Sequence, residues 1–463
     1  MTENSNAKAG SAGKGTWLMI IGVLLMSITS QAANYGNNLV LPSKLEYFNI
    51  TDLYSLFATL SGMGMMISLP LVGMLSGKFG VKRVALSGMI LQFVIRFILM
   101  YVPNAALFAV LWVLMGIASG LYISAPFTIM ATLVPREKVP KFYGYIATAS
   151  AIGSLVGPGL TGAVIDAVSP NAGLIIYGIF AIIPLLTLGV LYPNRKKENA
   201  DKSFDFAGIF LLVVFVCCII LWLCMAGSYF ELASVPGIVL PVAAVLALIL
   251  LIKTELKVKN PSVPIHMFHK KRFRAAFSVQ ALMVAYSTCI TAYAVNYVVY
   301  YMQGSSFQSS TVTMPQTIVQ AIVGMFVGTI IGKQFKKRFR PLALLALALY
   351  IIALIILSTL QPDSSMIVIY VATAIGGISQ ALTQSLNAPF FQSELQPEEI
   401  APAQGMFQFS STGGASIFGA VCGAFINFGA TFNDVFLLGA AFVGAALVIA
   451  IFTFRFPKEE MNA

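Results

Sequence analysis

The segment Gly73-Met74-Leu75-Ser76-Gly77-Lys78-Phe79-Gly80-Val81-Lys82-Arg83 lies between two long apolar stretches. Its spacing of glycines and basic residues returns 255 residues later, from Gly328 to Arg338. In both copies two glycines, a lysine and a basic pair stand at offsets 0, 4, 5, 9 and 10. The chain therefore contains an internal repeat, and each copy of the repeat connects two apolar stretches.

Apolar stretches of this length continue along almost the whole chain. A helix rises 1.5 Å per residue, so about 20 apolar residues cross the roughly 30 Å hydrocarbon layer of a bilayer. Fourteen stretches meet this length, which predicts an all-α membrane protein with fourteen spans. The predicted spans are 16–42, 53–76, 84–102, 105–134, 142–165, 171–192, 206–227, 234–253, 275–302, 310–332, 341–360, 365–391, 402–427 and 432–454.

The basic residues predict how these spans are oriented. If the amino terminus is cytoplasmic, all 28 Lys and Arg fall in cytoplasmic segments except Lys44, in the first outer loop, and Arg96, inside the third span. This follows the positive-inside rule and puts both termini in the cytoplasm. The predicted divisions are a tail at 1–15, a six-helix half at 16–192, a linker with two extra spans at 193–274, a second six-helix half at 275–454 and a tail at 455–463.

Composition excludes other classes of protein. Hydrophobic residues make up 58% and charged residues 10%, whereas a soluble domain carries about a quarter charged residues. The net charge of +11 is spread over short loops, which indicates contact with anionic lipid headgroups rather than with nucleic acid. The five cysteines lie within spans and have no metal-ligand spacing, so no metal and no cofactor is predicted.

The repeated loop resembles the signature loop of the major facilitator superfamily. The resemblance implies two six-helix halves with substrate held between them, and roles in gating and helix packing for Gly73, Gly80, Lys82 and Arg83. Gly77 departs from the pattern, because the family usually has Asp at this position.

The fifth span carries a second motif, with glycines at 144, 153, 157, 159 and 162 and Pro158. It resembles the antiporter signature of drug exporters, in which Gly153, Gly157 and Pro158 form a groove and a bend for a moving helix. The two extra central spans are similar to those of the fourteen-helix drug:proton antiporter branch. Trp112 departs from that branch, because it occupies the position of a usual arginine.

Charged residues are scarce at membrane depth. Arg96 and Asp166 are the two that the spans embed, and both are candidates for coupling or for binding an anion. Asp205, Glu231 and Asp434 fall at span ends or in loops and are expected near solvent. Proton coupling is therefore implied by the resemblance and not by the residues.

Polar side chains follow one face of several spans, because they recur at helical spacing. In this superfamily the first, seventh and tenth core helices line the pathway, so these faces are predicted to form a substrate cavity. The predicted cavity residues are Gln31, Asn34, Asn38, Gln280, Tyr293, Gln316, Gln380, Gln384, Asn387 and Gln408.

These observations predict a secondary transporter of the inner membrane, working as a monomer, that exports amphipathic small molecules, with protons as the expected coupling partner. Two alternatives remain open: uptake or facilitated diffusion of a neutral or anionic metabolite, and a membrane receptor or sensor that does not transport. The spans offer no cluster of His, Asp, Glu or Cys for chemistry, so no enzyme activity and no catalytic residue is predicted.

Overall fold

The computed structural model describes residues 14–169, 171–193, 205–225, 230–258, 261–304, 306–331, 334–427 and 429–457. Residues 1–13 of the predicted tail at 1–15, residues 458–463 of the predicted tail at 455–463, and residues 194–204 of the predicted linker lie outside these residues. The described chain is built from α-helices joined by short loops. The helices are α1 Lys14–Tyr47, α2 Tyr54–Phe79, α3 Val81–Leu99, α4 Ala105–Ile123, α5 Ala125–Leu133, α6 Val139–Ala167, α7 Ala172–Leu191, α8 Phe206–Met225, α9 Val235–Glu255, α10 Lys271–Met283, α11 Ala285–Thr288, α12 Val295–Tyr300, α13 Ser306–Thr311, α14 Met314–Ile331, α15 Phe335–Ser358, α16 Met366–Gln392, α17 Ile400–Asn427 and α18 Phe432–Thr453.

Each of the fourteen predicted spans corresponds to a helical segment, so the predicted all-helical membrane architecture is confirmed. Thirteen helical segments of the described chain are long and apolar enough to cross a membrane. The fourteenth is α3, which carries three basic residues, Lys82, Arg83 and Arg96. Helix α3 packs against α4 and α7, which belong to the same half of the chain.

Three predicted spans are broken in the structure, and one of them, 310–332, is broken only near its start, between α13 and α14. The fourth span divides at Ser124 into α4 and α5, because Pro126 has no N–H to donate to the preceding turn. The first span of the second half divides into α10, α11, a π-helix over Cys289–Ala294, and α12. No glycine or proline lies at the break between α10 and α12, so it could not be predicted from these residue types.

The helices form two bundles and a hairpin. One bundle contains α1 to α7, and the other contains α10 to α18. They meet where α2 packs against α17 and where α6 packs against α14 and α16. The extra pair α8 and α9 pack on each other, and α8 lies against α2 and α17. The hairpin thus sits on one side of the junction between the bundles.

The prediction that Asp205 lies near solvent was wrong. Asp205 is 7% exposed and caps α8, because its Oδ1 accepts the Gly208 N–H at 2.8 Å. Ser262 donates its hydroxyl to Glu255 Oε1 at 2.5 Å and lies 3.3 Å from Asp205 Oδ2. The segment after α9 folds back over both carboxyl groups and removes them from water. These hydrogen bonds join the start of α8 and the end of α9 to the segment that follows α9.

The prediction that Lys44 lies in the first outer loop was also wrong. Helix α1 continues through Pro42 to Tyr47, so Lys44 is helical and only 5% exposed. Its ammonium group donates to the carbonyl oxygen of Met100 at 3.4 Å, at the end of α3. Proline does not end a helix that neighbouring helices hold in place, which is why the span was predicted too short.

Candidate functional site

A cavity of about 230 Å³ lies between the two bundles. Both bundles supply its walls: α1, α4, α5 and α6 from the first, and α10, α16 and α17 from the second. The lining residues are Ser27, Ser30, Gln31, Ile123, Pro126, Phe127, Ser150, Gln280, Met283, Gln380, Thr383, Gln384, Ala388, Gln404, Phe407, Gln408, Ser411 and Thr412.

The wall of this cavity is polar and uncharged. Six glutamines and six hydroxyl side chains line it together with a few apolar groups, among them Phe127, Met283 and Phe407, and none of the described lining residues is ionisable. Gln280 donates to the hydroxyl of Ser411 at 3.1 Å, so part of the wall is held in place by its own hydrogen bonds. Such a surface binds a ligand through amides, hydroxyls and aromatic faces rather than through charge.

Five of the predicted cavity residues line the cavity: Gln31, Gln280, Gln380, Gln384 and Gln408. They are the glutamines of the predicted stripes on α1, α10, α16 and α17. They meet because those four helices converge between the bundles.

The other predicted cavity residues lie elsewhere or are not described. Asn34 is partly buried outside the lining set, and the side chain of Asn38 lies outside the described residues. Gln316 accepts a hydrogen bond from the Tyr286 hydroxyl at 3.4 Å, inside the second bundle. Tyr293 donates to the carbonyl oxygen of Gly419 at 3.3 Å. Asn387, 2% exposed, donates to the sulfur of Met283 at 3.7 Å. These contacts join helices within a bundle, as buried amides and hydroxyls often do in membrane proteins.

Several lining residues were outside the predicted set. Ser30, Ser150 and Thr383 are small hydroxyl residues, which occur throughout membrane helices and give no distinct signal. Gln404, by contrast, lies on the same helical face as Gln408 and Ser411, so its spacing was an available signal.

Polar side chains at one end of the cavity join the two bundles and, at Gln392 and Gln404, two helices of the second bundle. Tyr143 of α6 donates its hydroxyl to Gln392 at 2.7 Å, and Gln392 donates to Gln404 at 3.0 Å. Arg136 reaches the carbonyl oxygen of Leu395 at 3.4 Å. These four polar residues, Tyr143, Gln392, Gln404 and Arg136, form what we call the inter-bundle seal. The seal lies at the end of the helices that the positive-inside rule predicts to be cytoplasmic.

The predicted gating loop lies next to this seal. A Cβ atom on Gly73 would lie 2.3 Å from the side chain of Pro402 in α17, so only glycine permits the approach of α2 to the other bundle. Gly80 ends α2 with φ +88°, a conformation that favours glycine. Lys82 and Arg83 begin α3, where Arg83 is exposed. In the second copy of the loop, Gly332 and Lys333 lie outside the described residues.

The glycines of α6 face two different neighbours. A Cβ on Gly153 would lie 2.4 Å from the Ile28 carbonyl oxygen, and one on Gly157 would lie 2.5 Å from Ala32 Cα, both in α1 of the same bundle. Pro158 is partly buried within α6. The contact of α6 with the other bundle is made instead at Gly144, close to α14. The groove predicted for a moving helix therefore holds α1.

The remaining singled-out residues lie away from the cavity. Trp112 is 2% exposed and stacks on Phe108 at 5.1 Å, so it fills the core of the first bundle. Asp166 is exposed one residue before the end of α6. Arg96 is buried among α1, α3 and α7, and does not reach outward to the surface. Among the described residues no group of three His, Cys, Asp or Glu is arranged to hold a metal ion.

Comparison with known proteins agrees with this architecture. A family model described as the Major Facilitator Superfamily matches residues 23–419. The chain is 25% identical over 457 residues to multidrug resistance protein 3 of Bacillus subtilis, covering 96% of this chain and 86% of that protein. It is 22% identical over 367 residues to multidrug transporter protein MdtP of B. subtilis, covering 77% and 66% of the two chains.

A solved structure has the same fold. The crystal structure of the human organic anion transporter MFSD10 superposes with a TM-score of 0.67 at 14% identity, over 94% of this chain and 99% of that one. The helical bundles, the cavity between them and the match of the family model over most of the chain lead to one conclusion. This multi-pass membrane protein belongs to the major facilitator superfamily of small-molecule transporters.

Proposed function

We propose that the protein exports amphipathic small molecules across the cell membrane by alternating access, with the cavity between the bundles as its substrate site. The observation that carries the proposal is the position of the cavity, because both bundles contribute lining residues and a relative movement of the bundles would change access to it. The multidrug resistance protein and multidrug transporter among its relatives support export as the direction.

The chemistry of the lining supports neutral or weakly charged amphiphiles as substrates. Glutamine amides can donate and accept hydrogen bonds, so they adapt to many polar groups. Phe127, Phe407 and Met283 offer apolar and polarisable surface beside them. A site of this kind does not depend on one charged group, which favours a broad range of substrates over a single one.

The position of the seal supports an outward-facing conformation. Hydrogen bonds between the bundles cluster over residues 136–148, where Thr148 donates to the carbonyl oxygen of Ala321 at 2.9 Å in addition to the contacts of Tyr143 and Arg136. The proposed inward-facing state requires these contacts to break. In this account both termini and the seal lie on the cytoplasmic side, and one chain suffices for transport.

The proposed energy source is a proton gradient, used by proton antiport. The family resemblance supports this proposal. A coupling carboxyl must change its protonation between the two states, so it has to alternate between dry and wet surroundings. Asp166 remains the candidate from the sequence. Its exposed position at the end of α6 makes a direct test necessary.

Flux in liposomes tests the proposal. Purified protein is reconstituted, and uptake of a fluorescent neutral amphiphile is measured with an imposed pH gradient and without one. Gradient-driven accumulation supports antiport, and Asp166→Asn should then abolish accumulation but keep downhill exchange if coupling runs through that residue. Accumulation that is unchanged in Asp166→Asn removes this residue from the mechanism.

Facilitated diffusion or uptake of a neutral or anionic metabolite is the second candidate. The lack of any ionisable group among the described lining residues favours it, because a proton-coupled carrier of cations needs a carboxyl near its site. Saturable flux that is indifferent to the pH gradient would support this candidate and contradict antiport.

A further inference from the structure

Two glutamines of the cavity wall are held by buried side chains that lie behind them. Gln380 and Gln384 lie one helical turn apart on α16, and both line the cavity. Tyr350 of α15 and Gln320 of α14 are 1% and 6% exposed and lie outside the lining set. Each of these buried residues forms a hydrogen bond with one of the two glutamines. The orientation of both amides therefore depends on residues that do not line the cavity.

At Gln380 the amide oxygen is the atom that is engaged. The Tyr350 hydroxyl donates to Gln380 Oε1 at 2.5 Å, a separation that fits O–H···O geometry better than a bond to an amide nitrogen. The Thr383 hydroxyl lies 3.5 Å from the same phenol oxygen, but it gives its hydrogen to the Ser379 carbonyl oxygen at 2.9 Å. The rings of Tyr350 and Tyr286 pack with their centres 4.3 Å apart, which fixes the position of the Tyr350 hydroxyl.

At Gln384 the amide oxygen is engaged as well. Gln320 Nε2 donates to the backbone carbonyl oxygen of Ala147 in α6 at 3.4 Å, and to Gln384 Oε1 at 3.4 Å. A backbone carbonyl oxygen can only accept, so the contact with Ala147 identifies the nitrogen of the Gln320 amide. The atom of Gln384 that faces this nitrogen must then be its oxygen.

The two α16 glutamines therefore present their N–H groups to the cavity. An amide carries its oxygen and its nitrogen on different sides, and each oxygen is directed at a buried donor. Within the described residues, neither amide nitrogen has a protein partner. The side-chain amides of Gln31 and Gln408, on α1 and α17, form no hydrogen bond in the same part of the chain, so they can turn either end to a ligand. The α16 wall thus differs from the others in offering fixed donors.

We propose that Tyr350 and Gln320 are positioning residues that hold Gln380 and Gln384 as hydrogen-bond donors, and that substrates are recognised through an acceptor oxygen that faces α16. This rests on the proposed function, in which the cavity is the substrate site. Ketones, esters and ethers carry such an oxygen. A compound whose polar group is a single N–H would face two donors at this wall and lose a hydrogen bond there.

Binding of three flat tricyclic compounds of similar size tests the inference. Fluorenone offers a carbonyl acceptor, carbazole offers an N–H donor, and fluorene offers neither. The purified full-length protein in detergent is dialysed against each compound, and uptake by protein-free micelles is subtracted. The unmodified protein should bind fluorenone more tightly than carbazole. Tyr350→Phe releases the Gln380 oxygen to accept from carbazole, so the ratio of the fluorenone to the carbazole association constant should fall about 2- to 10-fold.

Tyr370→Phe is the matched control, because the Tyr370 hydroxyl also bonds to a side chain of the second bundle, Thr311 at 2.6 Å, and neither residue lines the cavity. It should keep the ratio of the unmodified protein. In a Gln380→Met background, Tyr350→Phe should have no further effect on the ratio, because Tyr350 acts through Gln380. A loss of packing alone would weaken the binding of all three compounds alike and would leave the ratio unchanged.

An unchanged ratio in Tyr350→Phe would overturn the inference. So would the same change in the Gln380→Met background, or tighter binding of carbazole than of fluorenone by the unmodified protein. If Tyr350→Phe does not fold, Gln320→Met makes the same test at Gln384. The assay requires no transport, so a protein that shows the preference but exports nothing would retain this inference and lose the proposed export.

Discussion

Gly144 and Gly324 face each other across the junction of the two bundles, and a Cβ atom on Gly144 would lie 2.4 Å from the carbonyl oxygen of Gly324. No side chain separates α6 from α14 at this point. The contact lies on the same side of the cavity as the inter-bundle seal, so it is a contact that the proposed inward-facing state must release.

Gly144→Val should therefore disfavour the sealed conformation. Forcing a side chain against a backbone oxygen costs about 1–3 kcal/mol, which shifts a two-state equilibrium roughly 5- to 150-fold. Spin labels on cysteines at the exposed positions Lys138 and Glu398 report the separation of the two bundles at the sealed end. The distance distribution should move to longer values in Gly144→Val.

Gly159→Val is the matched control. Gly159 lies in the same helix as Gly144, but a Cβ atom on Gly159 would have no atom of a neighbouring element within 4 Å. It should leave the distance distribution unchanged. Equal distributions for Gly144→Val and the unmodified protein would show that this contact does not hold the bundles together.

Gly157→Leu should abolish transport without preventing membrane insertion. Gly157 packs on the backbone of Ala32, so a leucine would push α1 away from α6 and distort the cavity wall at Gln31. Insertion depends on hydrophobicity, which leucine increases. Flux in liposomes and the amount of protein in the membrane fraction are the two measurements. Normal flux in this variant would mean that the close approach is dispensable.

Cysteines placed at Gln31, Gln380 and Gln384 should react with small hydrophilic thiol reagents in a variant without its five native cysteines. These three positions line the cavity, whereas a cysteine at Leu382, which is 6% exposed, should stay protected. Asn34, which lies outside the lining set, should react more slowly than Gln31. Labelling that is uniform over all five positions would contradict the placement of the cavity.

Gln384→Glu should change the charge preference of the transporter. A carboxylate near a bound monovalent cation contributes several kcal/mol at low dielectric and less beside water. We therefore expect the ratio of the flux of a cationic substrate to that of its neutral analogue to rise about tenfold. Competition between the two compounds in liposome flux measures the ratio. Gln361→Glu, in an exposed loop, serves as control and should not alter it. An unchanged ratio in Gln384→Glu would place bound substrate away from this residue.

The predicted cavity residues and the residues that line the cavity in the structure overlap in part, for a definite reason. Helical spacing put Gln31, Gln380 and Gln384 on polar faces, and those faces meet in the cavity. The same reasoning also selected Gln316 and Asn387, whose polar groups bond to neighbours inside the second bundle. A polar face on a membrane helix predicts that the side chain avoids lipid. Such a face does not predict whether its polar groups form hydrogen bonds with water or with another helix.

The sequence by itself determined that this chain crosses a membrane many times and repeats one loop, because span length, loop charge and glycine spacing are local properties. Only the tertiary structure decided that Asp205 is buried, that α10 to α12 form a broken helix with a π-turn, and that Arg96 is enclosed with no described carboxylate partner. Each of those depends on which helix lies opposite. Helix packing in a membrane depends on small residues and on hydrogen bonds between segments that are far apart in the chain. A single sequence does not show which of these segments contact each other.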